Sequence, residues 1–274
     1  MLSASRPAVA VASIGLLGLL GLGCSFLVDL SGTTGGDAGL QGDASADGAV
    51  YRPGSWCAAN APALFFCDDF DQGPIGARWT GSALQVAGAA TLSSNNHSSP
   101  PYGFDIACPA LMPNTFLLEV LTQTLAPASR LALAFDFDPV AFPADGRGGT
   151  LYLATLTQGP GTPRSALQFR AGTALTDLQE QVVLASGAVK TGTGMWESAT
   201  LVRSGVWTRV EIDVDFTVSP AVATLRLDGR SVVTASLDPS WTRQPATFQL
   251  GDWYIPTEPA FHVAYDNLTI GLQP

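Results

Sequence analysis

Glu211-Ile212-Asp213-Val214-Asp215 is the segment best equipped for chemistry. Residues two apart on an extended strand share a face. Three carboxylates therefore project together, while Val210, Ile212, Val214 and Phe216 point the other way. A carboxylate pair about 5 Å apart can break a glycosidic bond, one group as nucleophile and the other as acid/base. On that chemistry Glu211 is the nucleophile, Asp215 the acid/base and Asp213 an electrostatic helper. The plainer reading is an amphipathic strand with a solvated acidic face, and that is the expectation taken forward.

The aromatic residues offer a second chemistry. Trp196, Trp241, Trp253 and Tyr254 lie in or near turns and late loops, where an exposed ring can stack on the apolar face of a pyranose. Trp56, Trp79 and Trp207 are expected in the core. His97 sits in an Asn/Ser loop and His262 beside Phe261, neither with an evident catalytic partner. No G-x-S-x-G, phosphate-binding glycine loop or H-E-x-x-H occurs.

The elements that must carry these groups begin after a leader. Arg6 precedes an uncharged apolar run, Ala8 to Leu22, that ends at Gly23-Cys24. About fifteen residues fall short of the twenty or so that span a membrane, so the run reads as an export signal. Gly21, Leu22 and Gly23 before Cys24 resemble a lipobox, displaced by one position from the usual Leu. That resemblance implies acylation of Cys24, with Ser25 after it directing the product to the outer membrane of a Gram-negative bacterium. Residues 31–50 are dominated by Gly, Ala, Ser, Thr and Asp, too poor in large apolar groups to offset ordering entropy. The expected organisation is a signal peptide over 1–23, a disordered tether over 24–55 and one domain over 56–274.

Composition limits the partners. Hydrophobic residues make up 46% of the 274-residue chain, enough for a sizeable core. The net charge of -10 repels phosphate backbones, and the single lysine leaves no polybasic face, so nucleic acid is not an expected partner. Apart from Cys24, the cysteines are Cys57, Cys67 and Cys108. Export favours a disulfide, with Cys57–Cys67 preferred and Cys67–Cys108 the competing pairing. The histidines lie far apart in sequence and no C-x-x-C occurs, which argues against zinc.

No long stretch carries helical period. Short β-rich runs over 131–138, 151–157, 166–170, 181–185, 207–216, 223–227, 231–237, 246–250 and 261–270 alternate with Gly, Pro, Asn and Asp clusters. Weaker runs cover 64–70, 83–92 and 115–122. Asp228-Gly229 between two alternating runs predicts a type I′ hairpin. A dozen or so strands in roughly 220 residues predict an all-β, two-sheet antiparallel sandwich.

Phe66-Cys67-Asp68-Asp69-Phe70-Asp71 with Trp79, and Asp266-Asn267-Leu268-Thr269-Ile270 at the other end, resemble the opening and closing strands of concanavalin A-like jelly rolls. Gly205-Val206-Trp207 to Val210, then Leu225 to Gly229, resembles the laminin-G hairpin. The resemblance implies that the first and last strands pair. It also implies a structural calcium at Asp266, with help from Asp69 and its neighbours Asp68 and Asp71; no other cofactor is expected. Laminarinase-type enzymes of that superfamily carry an E-x-D-x-(x)-E strand, which Glu211, Asp213 and Asp215 approximate. The expected function is a lipid-anchored, non-catalytic module that binds carbohydrate or extracellular matrix material. A divergent glycoside hydrolase built on the acidic strand, or an envelope structural protein, is the alternative.

Overall fold

A computed structural model describes residues 53–60, 64–84, 89–109, 117–142, 151–159, 163–190, 194–254 and 260–274. The leader, Cys24 and the tether up to residue 52 lie outside the described residues. The chain opens with α1 (Trp56–Asn60), β1 (Phe66–Asp68), β2 (Gly81–Leu84), β3 (Ala90–Ser93), β4 (Gly103–Cys108) and β5 (Leu117–Leu125). Next come β6 (Arg130–Ala141), β7 (Leu151–Gln158), β8 (Arg164–Ala171), β9 (Thr176–Val183) and β10 (Met195–Glu197). It ends with β11 (Thr208–Asp215), β12 (Val222–Leu227), β13 (Arg230–Ser236), β14 (Ala246–Tyr254) and β15 (Phe261–Gln273).

These strands form two antiparallel sheets. The eight-stranded sheet runs β13-β12-β11-β6-β15-β4-β3, with β1 also on β15; the seven-stranded sheet runs β10-β9-β8-β7-β14-β5-β2. Period-two sequence explains both layers. In β11 Val210, Ile212 and Val214 are buried while Glu211, Asp213 and Asp215 are not. Leu131, Leu133, Phe135 and Phe137 of β6 meet Leu167 and Phe169 of β8 and Phe248 and Leu250 of β14 in one hydrophobic core. Phe135, Phe137, Phe104 and Tyr265 pack ring against ring at its centre. The expected all-β jelly-roll sandwich is the observed architecture.

Two devices close it. Asp228 and Gly229 take φ of 50° and 75°, the pair of positive angles a type I′ turn needs, and they join β12 to β13 at the predicted place. β1 pairs with the end of β15, Phe66 opposite Ile270, so the two ends of the domain meet as the resemblance implied. β15 changes neighbours along its length: Phe261–Tyr265 lie on β4 and Leu268–Ile270 on β1, with β6 on the other edge throughout. The register shifts between Asp266 and Thr269, and Asn267 adopts φ 51°. At this bulge the buried Asp266 accepts from the backbone N–H of Ser98 (2.9 Å), Ser99 (2.7 Å) and Asn267 (2.7 Å).

Some boundaries differ from expectation. The strand expected over 181–185 is β9, starting at Thr176; inward-facing Glu180, buried and accepting from the Asp238 N–H, breaks the apolar alternation that would have shown it. Residues 83–92 contain the end of β2 and the start of β3 instead of one strand, and β4 and β10 carried no clear signal. Trp79 is buried as expected, but Trp56 and Trp207 are only partly covered. Trp56 lies under the Arg209 guanidinium, 5.3 Å from its ring centre. Ser55, at the last expected tether position, is buried and its hydroxyl accepts from the Ala58 N–H, capping α1.

Cys57 and Cys67 form the preferred disulfide, and Cys108 is buried on β4. The bridge spans 10 residues and pins α1 to β1, where the Cys57 N–H also donates to Asp69. Replacing both cysteines by serine is expected to cost about 2–3 kcal/mol, read as a lower guanidinium midpoint with an unchanged dependence in the native baseline.

Burial also sets a pH dependence. Burial pushes the Asp68 carboxyl up to about 6, although it accepts from the Phe70 N–H and Trp79 Nε1. Burial likewise pushes Asp266 up to about 7. A carboxyl raised on folding adds stability at low pH and loses it as pH climbs through its folded value. His262 is raised by its hydrogen bond to Asp105 and works in the same direction. Asp215 and Asp238 are lowered, and their contribution changes only below the usual carboxylate range. The melting temperature is therefore expected to fall by on the order of 5–10 °C between about pH 5 and pH 8. Asp68→Asn, which still offers an acceptor but cannot ionise, should flatten that slope in a calorimetric pH series.

Candidate functional site

The acidic strand faces outward from the eight-stranded sheet, and its carboxylates are engaged. Arg226 of β12 bonds Asp213 and approaches Glu211 at 3.8 Å. Arg130 at the start of β6 reaches Asp215 at 3.1 Å. Asp213 and Asp215 line a surface depression of about 660 Å³ with both arginines, Thr224 and Gln273. The Thr217 hydroxyl and N–H hold Asp215 below the usual carboxylate range, with Arg130 adding to the effect. A group cast as acid/base must keep a proton near neutrality. The shift at Asp215 runs the other way, so the geometry makes this strand a row of ion pairs.

Of the aromatic candidates, the two whose side chains are described, Trp196 and Trp241, pack on the core. Trp241 is 3% exposed and belongs to the core, which corrects its expected role as an exposed stacking ring: an indole of that size gains more from burial than a loop position suggests. Trp196 is partly buried and packs against the same core. Trp253 and Tyr254 lie on β14, and their side chains fall outside the described residues.

The calcium candidates are engaged by protein donors, except that Asp69 Oδ1 is buried and has no hydrogen-bond partner. Asp266 Oδ2 takes the two N–H groups of Ser98 and Ser99 and the Ser99 hydroxyl (3.3 Å), while Oδ1 takes Asn267. Asp68 is bonded at both oxygens and Asp69 at Oδ2. Among the described residues no three His, Cys, Asp or Glu side chains surround a cation position.

The outward face of the seven-stranded sheet is different. Thr122 (β5), Gln249 (β14), Thr155 (β7), Gln168 (β8) and Gln179 (β9) are successive cross-strand partners, ending at Met195 of β10. At strand spacing the row is about 24 Å long. One step along the strands lies a second row, Thr124, Thr247, Thr157, Ala166 and Gln181. One step the other way, Tyr152, Arg170, Asp177 and Glu197 are aligned. Their backs are apolar: Leu156, Leu167, Phe169, Leu178, Phe248 and Leu250 enter the core and fix each strand's facing.

The middle row has unmet bonding capacity. Thr155 Oγ1, Gln168 Oε1 and Gln179 Oε1 are shielded from water and have no hydrogen-bond partner. Buried polar atoms in folded proteins are nearly always paired, so such a cluster is unusual. Beside them Arg170 binds Asp177 through both Nε (2.9 Å) and Nη2, and lies over the Tyr152 ring at 5.6 Å. Asp177 is fully buried in that pair. Sequence reasoning passed over these residues. The available signal was glutamine between large apolar neighbours in LQF, LQEQV and FQL, an alternation that places amides on an outer face.

No protein-family model matches the chain, and no curated protein matches it. Solved structures do. An endo-β-1,4-glucuronan lyase from the fungus Trichoderma reesei superposes with a TM-score of 0.59 at 12% identity, over 77% of this chain and 96% of that one. The cellulose-induced protein Cip1 gives 0.54 at 11% identity, over 75% and 96%. A Bacteroides ovatus mixed-linkage-glucan GH16 protein, in complex with its G4G4G3G product, gives 0.54 at 10% identity, over 76% and 100%. At such identities the shared property is the fold. A lyase and a glycoside hydrolase stand among these neighbours, and that finding corrects the expectation of a non-catalytic binding module. The expectation followed the laminin-G-like look of β11 to β13, a hairpin that the sandwich uses whatever it does elsewhere.

Proposed function

We propose that this domain is an enzyme that cleaves a polysaccharide laid across the outward face of the seven-stranded sheet. The observation that carries the reading is the cross-strand row of Gln249, Thr155, Gln168 and Gln179 along the outward face of that sheet. Amides and hydroxyls in a line suit a ligand that is itself a line of hydroxyls and ring oxygens. The likeness to a glucuronan lyase and a mixed-linkage-glucan GH16 protein supports a carbohydrate substrate.

The residue types favour elimination over hydrolysis. Two free carboxylates are needed for hydrolysis. On this face, among the described residues, Asp177 is consumed by Arg170 and Glu197 stands on the edge strand. Elimination from a uronate polymer needs donors that neutralise the sugar carboxylate and a group that takes the proton from the adjacent carbon. A carbon–carbon double bond then forms as the glycosidic oxygen on the neighbouring carbon departs. Gln168 and Gln179 are the donors for the carboxylate, and Tyr152, next to Arg170, takes the proton on its phenol oxygen and returns it to the departing glycosidic oxygen. Export fits this work: the leader ending at Cys24 and the Cys57–Cys67 disulfide support a lipid-anchored enzyme at the outer membrane.

The test is turnover by the full chain on acidic and neutral polysaccharides, following both the ultraviolet absorbance of an unsaturated uronate and new reducing ends. Absorbance should rise on a polyuronate and fall by about 10²-fold in Gln168→Ala and in Tyr152→Phe. Reducing ends from a neutral β-glucan, lost in Glu211→Gln and kept in Gln168→Ala, would move the chemistry to the acidic strand. Inertness toward both polymer classes would defeat the enzyme reading.

A further inference from the structure

Five basic side chains of this acidic chain have a carboxylate partner in an ion pair: Arg130 with Asp215, Arg170 with Asp177, Lys190 with Asp238, Arg209 with Asp136 and Arg226 with Asp213. Arg164 is different. It opens β8, its Nε is shielded from water, and that atom has no acceptor. Burial alone lowers its pKa, as expected for a cation that has left water without gaining a counter-charge. Leaving a charged donor unpaired costs more than leaving a neutral one.

The guanidinium borders a cavity of about 380 Å³ together with Gln158, Ser165, Val182, Ser240 and Gln244. No Asp or Glu lines it. The Ser165 and Ser240 hydroxyls bond each other at 2.7 Å. One of their two protons is used between them, and Ser240, whose N–H donates to Asp238 at 2.9 Å, also has its hydroxyl within reach of that carboxylate. The Gln158 amide is spent on the Thr242 backbone, its nitrogen donating to the carbonyl (2.9 Å) and its oxygen accepting from the N–H (3.3 Å), which fixes one wall. What remains for a guest is chiefly the Arg164 cation, beside the serine hydroxyls and the Gln244 side chain.

We propose that this cavity is a binding site for an oxyanion, such as the carboxylate of an acidic sugar, a sulfate or a phosphate, held by Arg164 and the Ser165–Ser240 pair. The guanidinium fork matches two oxygens of such a group. Arg164 stands four residues before Gln168 on β8, about 13 Å along the strand, so the site is separate from the amide row and does not depend on the cleavage reading.

The test uses the full chain and two readouts, thermal unfolding and calorimetric titration, with glucuronate, sulfate and phosphate against chloride at constant ionic strength. At least one oxyanion should raise the unfolding temperature saturably where chloride does not. Arg164→Gln should weaken that binding at least tenfold, and Ser240→Ala should weaken it less. Gln168→Ala should leave it unchanged, which separates this site from the cleavage face. Preference for glucuronate assigns the site to an acidic sugar; preference for sulfate or phosphate assigns it to the inorganic ion. Equal response to chloride, or full binding by Arg164→Gln, would overturn the proposal. If Arg164→Gln does not fold, an unchanged affinity in Ser240→Ala would overturn it instead.

Discussion

The sandwich depends on what happens at Asp266 and Asn267. β15 is the strand on which the eight-stranded sheet is assembled, since it carries β6 along one edge and β4 followed by β1 along the other. One strand can hold two partners end to end on one edge only if its backbone shifts where they change. The bulge supplies that shift, and a buried carboxylate satisfies the backbone groups it exposes. Asn267 then ties the same point sideways, its amide donating to Asp136 of β6 and to the Ser98 hydroxyl, and its carbonyl accepting from Arg209 of β11. Two neighbouring strands and a loop thus converge on these two residues of β15. The cost is a carboxylate kept away from water, which is why it resists ionisation.

How much of this could be read in advance follows from how local each signal is. Asp228-Gly229 is a two-residue signal for a two-residue turn, and it was legible. β11 was legible because its alternation survives in every position. The pairing of β1 with β15 was legible only through resemblance, since some two hundred residues separate the partners and no pattern within either strand names the other. β9 was blurred by Glu180, a carboxylate on the core side whose partner comes from a distant turn.

The amide face was illegible for the same reason in a stronger form. Thr122, Thr155, Gln168, Gln179 and Gln249 become a row only through four separate registers. In sequence they are scattered polar residues of strands, the commonest kind of outward position. The acidic strand drew attention because its three carboxylates are adjacent in sequence, yet adjacency in sequence also places them within reach of arginines on the neighbouring strands. Proximity along the chain made a conspicuous motif, and proximity in space spent it on ion pairs.

The two outer faces therefore differ in kind. One is held together by charge, and the other offers, in its central row, dipoles that never gain or lose a proton. Glutamine and threonine keep the same hydrogen-bonding character in acid and in alkali, in dilute water and in brine. A polymer lying on them is gripped by a surface whose chemistry does not fluctuate with its surroundings, so any variation in hold must come from the polymer itself.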